Sequence, residues 1–248
     1  MQNAVFRQAW PKTRRQPVFA GAALLAFCAL LLPAPLSAQN NLATLAQTAK
    51  SARIGPFGGV EFRSAALDAL PQWNRILARA AAEMPAFDAC VSERALCKTS
   101  SQTVWREAVD AGRKLSKLER LDHVNRFFNR FPYRDDPEIY GVTEYWATPQ
   151  EFLAKSGDCE DYAIVKYYAL RALGFRAEEL RVVVIRDRIR NIGHAVLAAY
   201  VEGDILILDN LSNVVLSHSL YEHYSPQYSV NESARWLHVS PGTKTAAD

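Results

Sequence analysis

Through the first half of the chain apolar positions recur at three and four residues, and in the second half they cluster into short runs rich in Val, Ile, Leu and Tyr. The first spacing is that of one helix face, and the second pattern is that of β-strands. From Ser64 to about Cys90 the helical spacing is kept by Leu67, Leu70, Trp73, Ile76, Leu77 and Ala80. Pro71 is set to interrupt or restart that helix. A second helical stretch covers Thr103 to Gly112, and a third carries Leu115, Leu118, Leu121, Val124, Phe127 and Phe128. Arg130 to Trp146, rich in Pro, Asp, Tyr and Gly, predicts a long ordered loop, a kind of segment that tends to be functional. Thr148 then opens a short helix. A further helix starts near Asp158, runs through Ile164, Tyr168, Leu170 and Leu173, and meets Gly174 as its C-terminal stop.

After Gly174 the predicted strands are Leu180 to Ile185, Gly193 to Tyr200 and Ile205 to Leu208, with a further one at Val214 to Leu216. Glu202-Gly203-Asp204 makes a hairpin of the middle two. Helices first and an antiparallel sheet afterwards is an α+β layout. The expected organisation is a loosely ordered lead-in over 39–63, broken by Gly55-Pro56-Phe57-Gly58-Gly59, one domain over 64–240, and a flexible tail over 241–248.

The first 38 residues stand apart. Arg7, Lys12, Arg14 and Arg15 form a basic leader, an apolar run follows from Val18 to Leu32, and Pro35-Leu36-Ser37-Ala38 closes it with small residues. That order predicts an export signal cleaved after Ala38, since the apolar run falls short of the ~20 residues that span a bilayer. The whole chain carries +3, and removing the leader's four positive charges leaves −1. No basic stripe with interleaved aromatics remains to support nucleic-acid binding. Cys90, Cys97 and Cys159 survive processing. In an oxidising compartment Cys90 and Cys97 are close enough in sequence for a disulfide, the alternative being two buried thiols, and Cys159 is left unpaired.

Cys159 sits in Gly157-Asp158-Cys159-Glu160-Asp161-Tyr162, at a predicted helix start. The helix N-terminus favours thiolate, whereas the three neighbouring carboxylates oppose a further negative charge. Either the acids merely cap the helix, or a cation neutralises them and the thiol is at work. Nucleophilic chemistry needs a base and a group to orient it, and His194 and Asp209 lie on neighbouring strands. With the loop centred near Glu202-Gly203, Asp209 faces Val196. It then shares a face with His194 at a diagonal separation of roughly 7–8 Å. A loop centred one residue later drives the two apart, so the spacing permits the pair without requiring it. His218, His223 and His238 lie outside metal-ligand spacing and are assigned to the surface or the framework.

Val124 to Asn129, Glu144-Tyr145-Trp146-Ala147-Thr148-Pro149, Gly157 to Ala163, Gly193-His194-Ala195-Val196-Leu197 and Leu208-Asp209-Asn210-Leu211 together resemble the bacterial transglutaminase-like cysteine proteinases. Glu144, where that pattern leads us to expect aspartate, is a mild departure. The resemblance implies a papain/transglutaminase-like core, with Cys159 as nucleophile, His194 as base and acid, and Asp209 orienting His194. It implies a calcium ion on Asp158 and Glu160 with Asp161 as third ligand, which resolves the conflict of charges around the thiol. It also implies a periplasmic endopeptidase that cuts the N-terminal region of a large cell-surface adhesin to release cells from a biofilm, and an inner-membrane cyclic-di-GMP receptor that sequesters the enzyme. A transglutaminase or amidase acting on cell-wall peptides, or a non-catalytic module of the same fold, are the alternatives.

Overall fold

The helix expected from Ser64 begins only at Pro71, the first residue of α1 (Pro71–Ser92), where a missing N–H costs nothing; Ser64 ends a strand, and the residues between it and Pro71 are not helical. The structure, a computed structural model, describes residues 53–239. The segments expected to be an export leader (1–38) and a flexible tail (241–248), with the start of the lead-in, therefore lie outside the described residues. Thr99 and Ser116 cap α2 (Ser100–Gly112) and α3 (Lys117–Phe128), the latter through a reciprocal bond with Glu119. The ordered loop after Arg130 contains a single short turn of helix, α4 (Asp136–Ile139). Thr148 caps α5 (Pro149–Lys155), and α6 (Cys159–Ala172) follows. Gly174, at φ 90°, ends α6 in the left-handed conformation that glycine adopts without strain. Cys90 and Cys97 are joined as a disulfide.

The strands are β1 (Arg53–Ile54), β2 (Val60–Ser64), β3 (Leu180–Asp187), β4 (Ile192–Val201), β5 (Asp204–Leu208), β6 (Leu216–Ser217), β7 (Tyr224–Val230) and β8 (Arg235–Val239). They form one antiparallel sheet in the order β1-β2-β8-β7-β3-β4-β5-β6. The α+β architecture is as expected. The described part of the segment taken for a loose lead-in instead supplies the edge strand β1 and most of its neighbour β2. β7 and β8 were not foreseen either: Pro226, which has no N–H for a ladder, sits at a register shift where β7 meets β3.

α6 lies against β3 and β4, with α2, α3 and α5 packed around it. Its Tyr162, Ile164, Val165, Tyr167 and Leu170 are all buried, so it is apolar around most of its circumference, as befits a central helix. Trp73, Trp105, Phe128 and Phe152 fill the space between the helices and the sheet. On the opposite sheet face Val183, Ile185, Val196 and Ile207 pack under Tyr221 and Tyr224. This arrangement sets the start of α6 against the start of β4, and that junction is the site.

Candidate active site

Cys159 is the first residue of α6 and Asp158 its N-cap. The turn is held by Asp161, whose carboxylate accepts the N–H of Asp158 at 3.2 Å and the N–H of Ala147 at 2.5 Å. Gly157 is required for this, because a Cβ there would lie 2.0 Å from Asp161 Oδ2. The Gly157 carbonyl also accepts the N–H of Arg134 at 3.0 Å, tying the turn to the long loop. The acids of the Gly-Asp-Cys-Glu-Asp string therefore build the thiol's own platform.

The β4–β5 hairpin turns on Glu202 and Gly203, both at positive φ, the conformation of a two-residue hairpin turn. Leu197 pairs with Leu208, so the register continued by one residue sets Asp209 opposite Val196, as the centred loop predicts. The ladder stops at Leu208, and side-chain reach closes the remaining gap: His194 Nε2 is 2.9 Å from Asp209 Oδ1. Both residues are buried. Asp209 Oδ2 accepts the Tyr224 hydroxyl at 2.7 Å, and Oδ1 also accepts the Leu211 N–H at 2.9 Å. Burial alone would raise the Asp209 pKa. The bond and charge of His194, with those from Leu211 and Tyr224, leave it below the ordinary value. The bond at Nε2 leaves Nδ1 as the ring nitrogen that can serve a thiol.

Behind this pair, Asn129 Nδ2 donates to the Asp209 carbonyl at 2.9 Å and Asn125 Nδ2 to the Ser212 carbonyl at 2.8 Å. Lys166, fully buried on α6, donates to Asn125 Oδ1 at 2.8 Å. Burial brings its pKa down to about 7 against the opposing influence of Asp209. The sequence pattern gave no sign of Lys166, which occupies a core position of the helix.

Cys159 and His194 line one cavity of about 260 Å³, together with Asp158, Glu160, Val184 and Tyr228. The Cys159 thiol donates to Glu160 Oε2 at 3.2 Å. Burial pushes the thiol pKa well up and the charges of Glu160 and Asp158 push it further, against a bond from the Ala195 N–H. Glu144 also lines the cavity, where it accepts the Trp146 Nε1–H at 2.9 Å.

Asp136, Asp158 and Asp161 each present an oxygen within 4.8 Å of the others. Glu160 stands in a second such group, with Asp158 and Cys159. Asp136 was not anticipated: it comes from the loop, and only the fold carries it to the α6 turn. Burial above all, with neighbouring acids adding to it, pushes Asp158 up to about 9 and Asp161 up to about 8, and burial raises Glu160 to about 7. Asp136 Oδ1 and Asp158 Oδ1 are buried without any hydrogen-bond partner. Orphaned, mutually repelling oxygens are an uncompensated cost unless a cation sits among them. An all-oxygen donor set fits a hard divalent ion. His218 and His238 are framework residues: the first accepts the Phe57 N–H at 2.9 Å and the second pairs with Ser229 at 2.8 Å.

A thiol at a helix N-terminus, sharing a cavity with an imidazole held by a buried carboxylate, defines the class of thiol-dependent acyl-transfer enzymes. Within that class, the chain belongs to the bacterial transglutaminase-like cysteine proteinases, whose family profile matches residues 78–244. Among solved structures it is similar to Legionella pneumophila LapG, at 32% identity and a TM-score of 0.53, over 61% of this chain and 87% of that one. An EGTA-treated form of that protein gives a TM-score of 0.54 over 62% and 86% of the two chains. A calcium-bound form gives 0.53 over 65% and 91%. No curated protein matches the chain. Among the described residues no helix is long and apolar enough to cross a membrane.

Proposed function

We propose that this cysteine protease is a calcium-dependent endopeptidase of the periplasm, with Cys159, His194 and Asp209 as its catalytic residues. Its substrate is the N-terminal region of a large cell-surface adhesin, cut to release the adhesin and disperse biofilm, and an inner-membrane cyclic-di-GMP receptor holds the enzyme in reserve. The observation that carries the chemistry is the buried His194–Asp209 bond of 2.9 Å beside the helix-terminal thiol. Calcium is supported by the partnerless oxygens of Asp136 and Asp158 and by the existence of calcium-bound and EGTA-treated forms of a relative. The export leader and the Cys90–Cys97 disulfide support an oxidising compartment. Adhesin and receptor follow from the family resemblance.

His194 Nδ1 takes the proton of Cys159 Sγ, and the sulfur bonds to the scissile carbonyl carbon. The carbonyl oxygen, now negative, meets the Cys159 N–H, one of the helix's unpaired donors. His194 returns the proton to the amide nitrogen, the C–N bond breaks and the amine departs, leaving a thioester. Water gives a proton to His194 as its oxygen bonds to the carbon, the C–S bond breaks with its electron pair on sulfur, and His194 returns the proton to Sγ as the acid is released. Bound among Asp136, Asp158 and Asp161, calcium would supply the positive charge that lets a thiolate form beside them.

The test is incubation with an adhesin N-terminal fragment, comparing wild type with Cys159→Ala, each with calcium or excess EGTA. The expected result is two defined fragments from wild type in calcium alone. A Cys159→Ala protein that still cuts, or wild type that cuts equally in EGTA, overturns the corresponding part.

A further inference from the structure

The outer part of the sheet carries large apolar side chains on a solvent-facing side. On β2 and β8 the buried residues are Glu61, Trp236 and His238, while Phe62, Leu237 and Val239 on the alternate positions are 37%, 59% and 48% exposed. The polar side is internally satisfied: Glu61 pairs with Arg181 at 2.7 Å, and the Arg181 guanidinium lies 3.6 Å over the Trp236 ring. Among the described residues the apolar side has no such cover. Solvent-facing apolar residues in alternating register mark a surface shaped for contact.

Its position says contact with what. Phe62 pairs with Leu237, Leu237 with Tyr228, and Tyr228 with Val184. Directly opposed residues share a sheet face, so one apolar track crosses β2, β8, β7 and β3. Its inner members, Val184 and Tyr228, are walls of the cavity that holds Cys159 and His194. That cavity, about 260 Å³, is smaller than the ~300–1,000 Å³ of pockets that enclose a drug-sized ligand. A polypeptide bound at the thiol must therefore lie mostly outside it, and the apolar track is a continuous surface leading away.

We propose that the Phe62–Leu237 face is a docking site for an apolar segment of the polypeptide substrate, on one side of the bond that is cut. The proposal rests on the endopeptidase reading above. From β3 to β2 is three strand spacings, roughly 14 Å, which an extended chain covers in about four residues. Recognition thus extends at least that far from the scissile bond, and a short peptide covering only the cleaved pair is a poor substrate.

The test uses the adhesin N-terminal fragment and the variant Phe62→Thr/Leu237→Thr, which keeps β-propensity and removes the apolar surface. Cleavage by the variant should show KM raised at least tenfold, kcat within about twofold, and a melting temperature within about 2 °C of wild type. Affinity for the fragment, measured by fluorescence anisotropy with Cys159→Ala added to both proteins, should fall by the same factor. An unaltered KM and affinity overturn the proposal. So does a wild-type dimer that the double substitution dissociates without changing KM, which would make the face a self-association surface. If the fragment binds and is not cut, the endopeptidase reading fails, and the anisotropy comparison still decides the docking face. A fragment that does not bind overturns the face as well.

Discussion

Two sets of buried carboxylates flank the Cys159 thiol, and they are opposites. Asp209, on the sheet side, is surrounded by donors: His194, the Tyr224 hydroxyl and the Leu211 N–H, which together hold it below its ordinary pKa despite burial. On the helix side, Asp158 and Asp161 are pushed up to about 9 and about 8, and Asp136 and Asp158 each keep a buried oxygen with no partner. All are aspartates, and Asp136 and Asp161 are as deeply buried as Asp209 while Asp158 is half-buried, so the difference is in what the fold supplies. The chain completes the first site by itself and leaves the second to be completed by something else. A group that orients a base has to be fixed at all times. A charge-compensating site for a thiolate can instead depend on an ion, and thereby make activity conditional on it.

The strongest way to break the comparison is to unmake the completed side. Asp209→Asn keeps the shape and removes the charge that fixes the His194 proton on Nε2. We expect activity to fall by about 10⁴-fold, the scale seen in kcat when such an aspartate is neutralised in a serine protease triad. The protein should still fold and still respond to calcium in its melting temperature. A variant within tenfold of wild type would remove Asp209 from the catalytic set.

Chelation probes the incomplete side. Saturating calcium at about 100 times Kd stabilises by roughly 2.7 kcal/mol, a shift of about 5–10 °C for a chain of this size. The pH dependence has a definite sign. Carboxylates whose folded pKa is raised hold their protons in the folded state longer than in the unfolded one, so the metal-free protein loses stability as pH climbs from 3.8 toward the raised values of about 8 and about 9. The melting-temperature gap between calcium-loaded and EGTA-treated protein should therefore be wider at pH 8 than at pH 5. An equal gap would mean that these acids are not what the ion compensates.

A smaller effect tests how the thiol's platform is built. Gly157→Ala places a methyl group where Asp161 Oδ2 now lies, 2.0 Å from the new carbon. Accommodating it should cost about 1–3 kcal/mol and weaken calcium binding in the same variant, because Asp161 serves both the turn and the acidic cluster. Loss of stability with calcium affinity intact would separate the two roles.

What the sequence made legible follows from how local each constraint is. Cys159, Asp158 and Asp161 are neighbours on one helix turn. The His194–Asp209 pair could be located because Glu202-Gly203 sets the hairpin register, and the observed Leu197–Leu208 pairing is the one that a loop centred there requires. Asp136 was invisible because the long loop between Arg130 and Trp146 has no periodicity to place it. Tyr224 and Lys166 escaped for a related reason, since each acts across a contact between elements distant in the chain. Strands β2, β7 and β8 were missed because they carry less of the Val, Ile, Leu and Tyr enrichment that identifies the other strands. Pro226 interrupts β7, and Glu, Arg, Ser and His make up much of β2 and β8. The side on which those two strands expose Phe62, Leu237 and Val239 is the surface proposed for contact.

The finest test removes a single donor from the completed side. Tyr224→Phe takes away the 2.7 Å bond to Asp209 Oδ2 and leaves the ring packed against Tyr221. One such bond to a charged group is worth about 1.5–3 kcal/mol at most, and because His194 and Leu211 still hold Oδ1 we expect a loss near the lower figure. Asp209 should titrate higher in the variant than in wild type. A carboxylate whose folded pKa is depressed contributes its stability above the unfolded pKa and loses it as pH falls through the folded one. The gap in melting temperature between wild type and Tyr224→Phe should therefore be full at pH 7 and narrow below the ordinary value of 3.8. The calcium response should be untouched, since Tyr224 reaches only the completed side. A variant that alters the EGTA-induced shift would show that the two carboxylate systems are coupled through the thiol, and that the division between a finished and an unfinished site is too sharp.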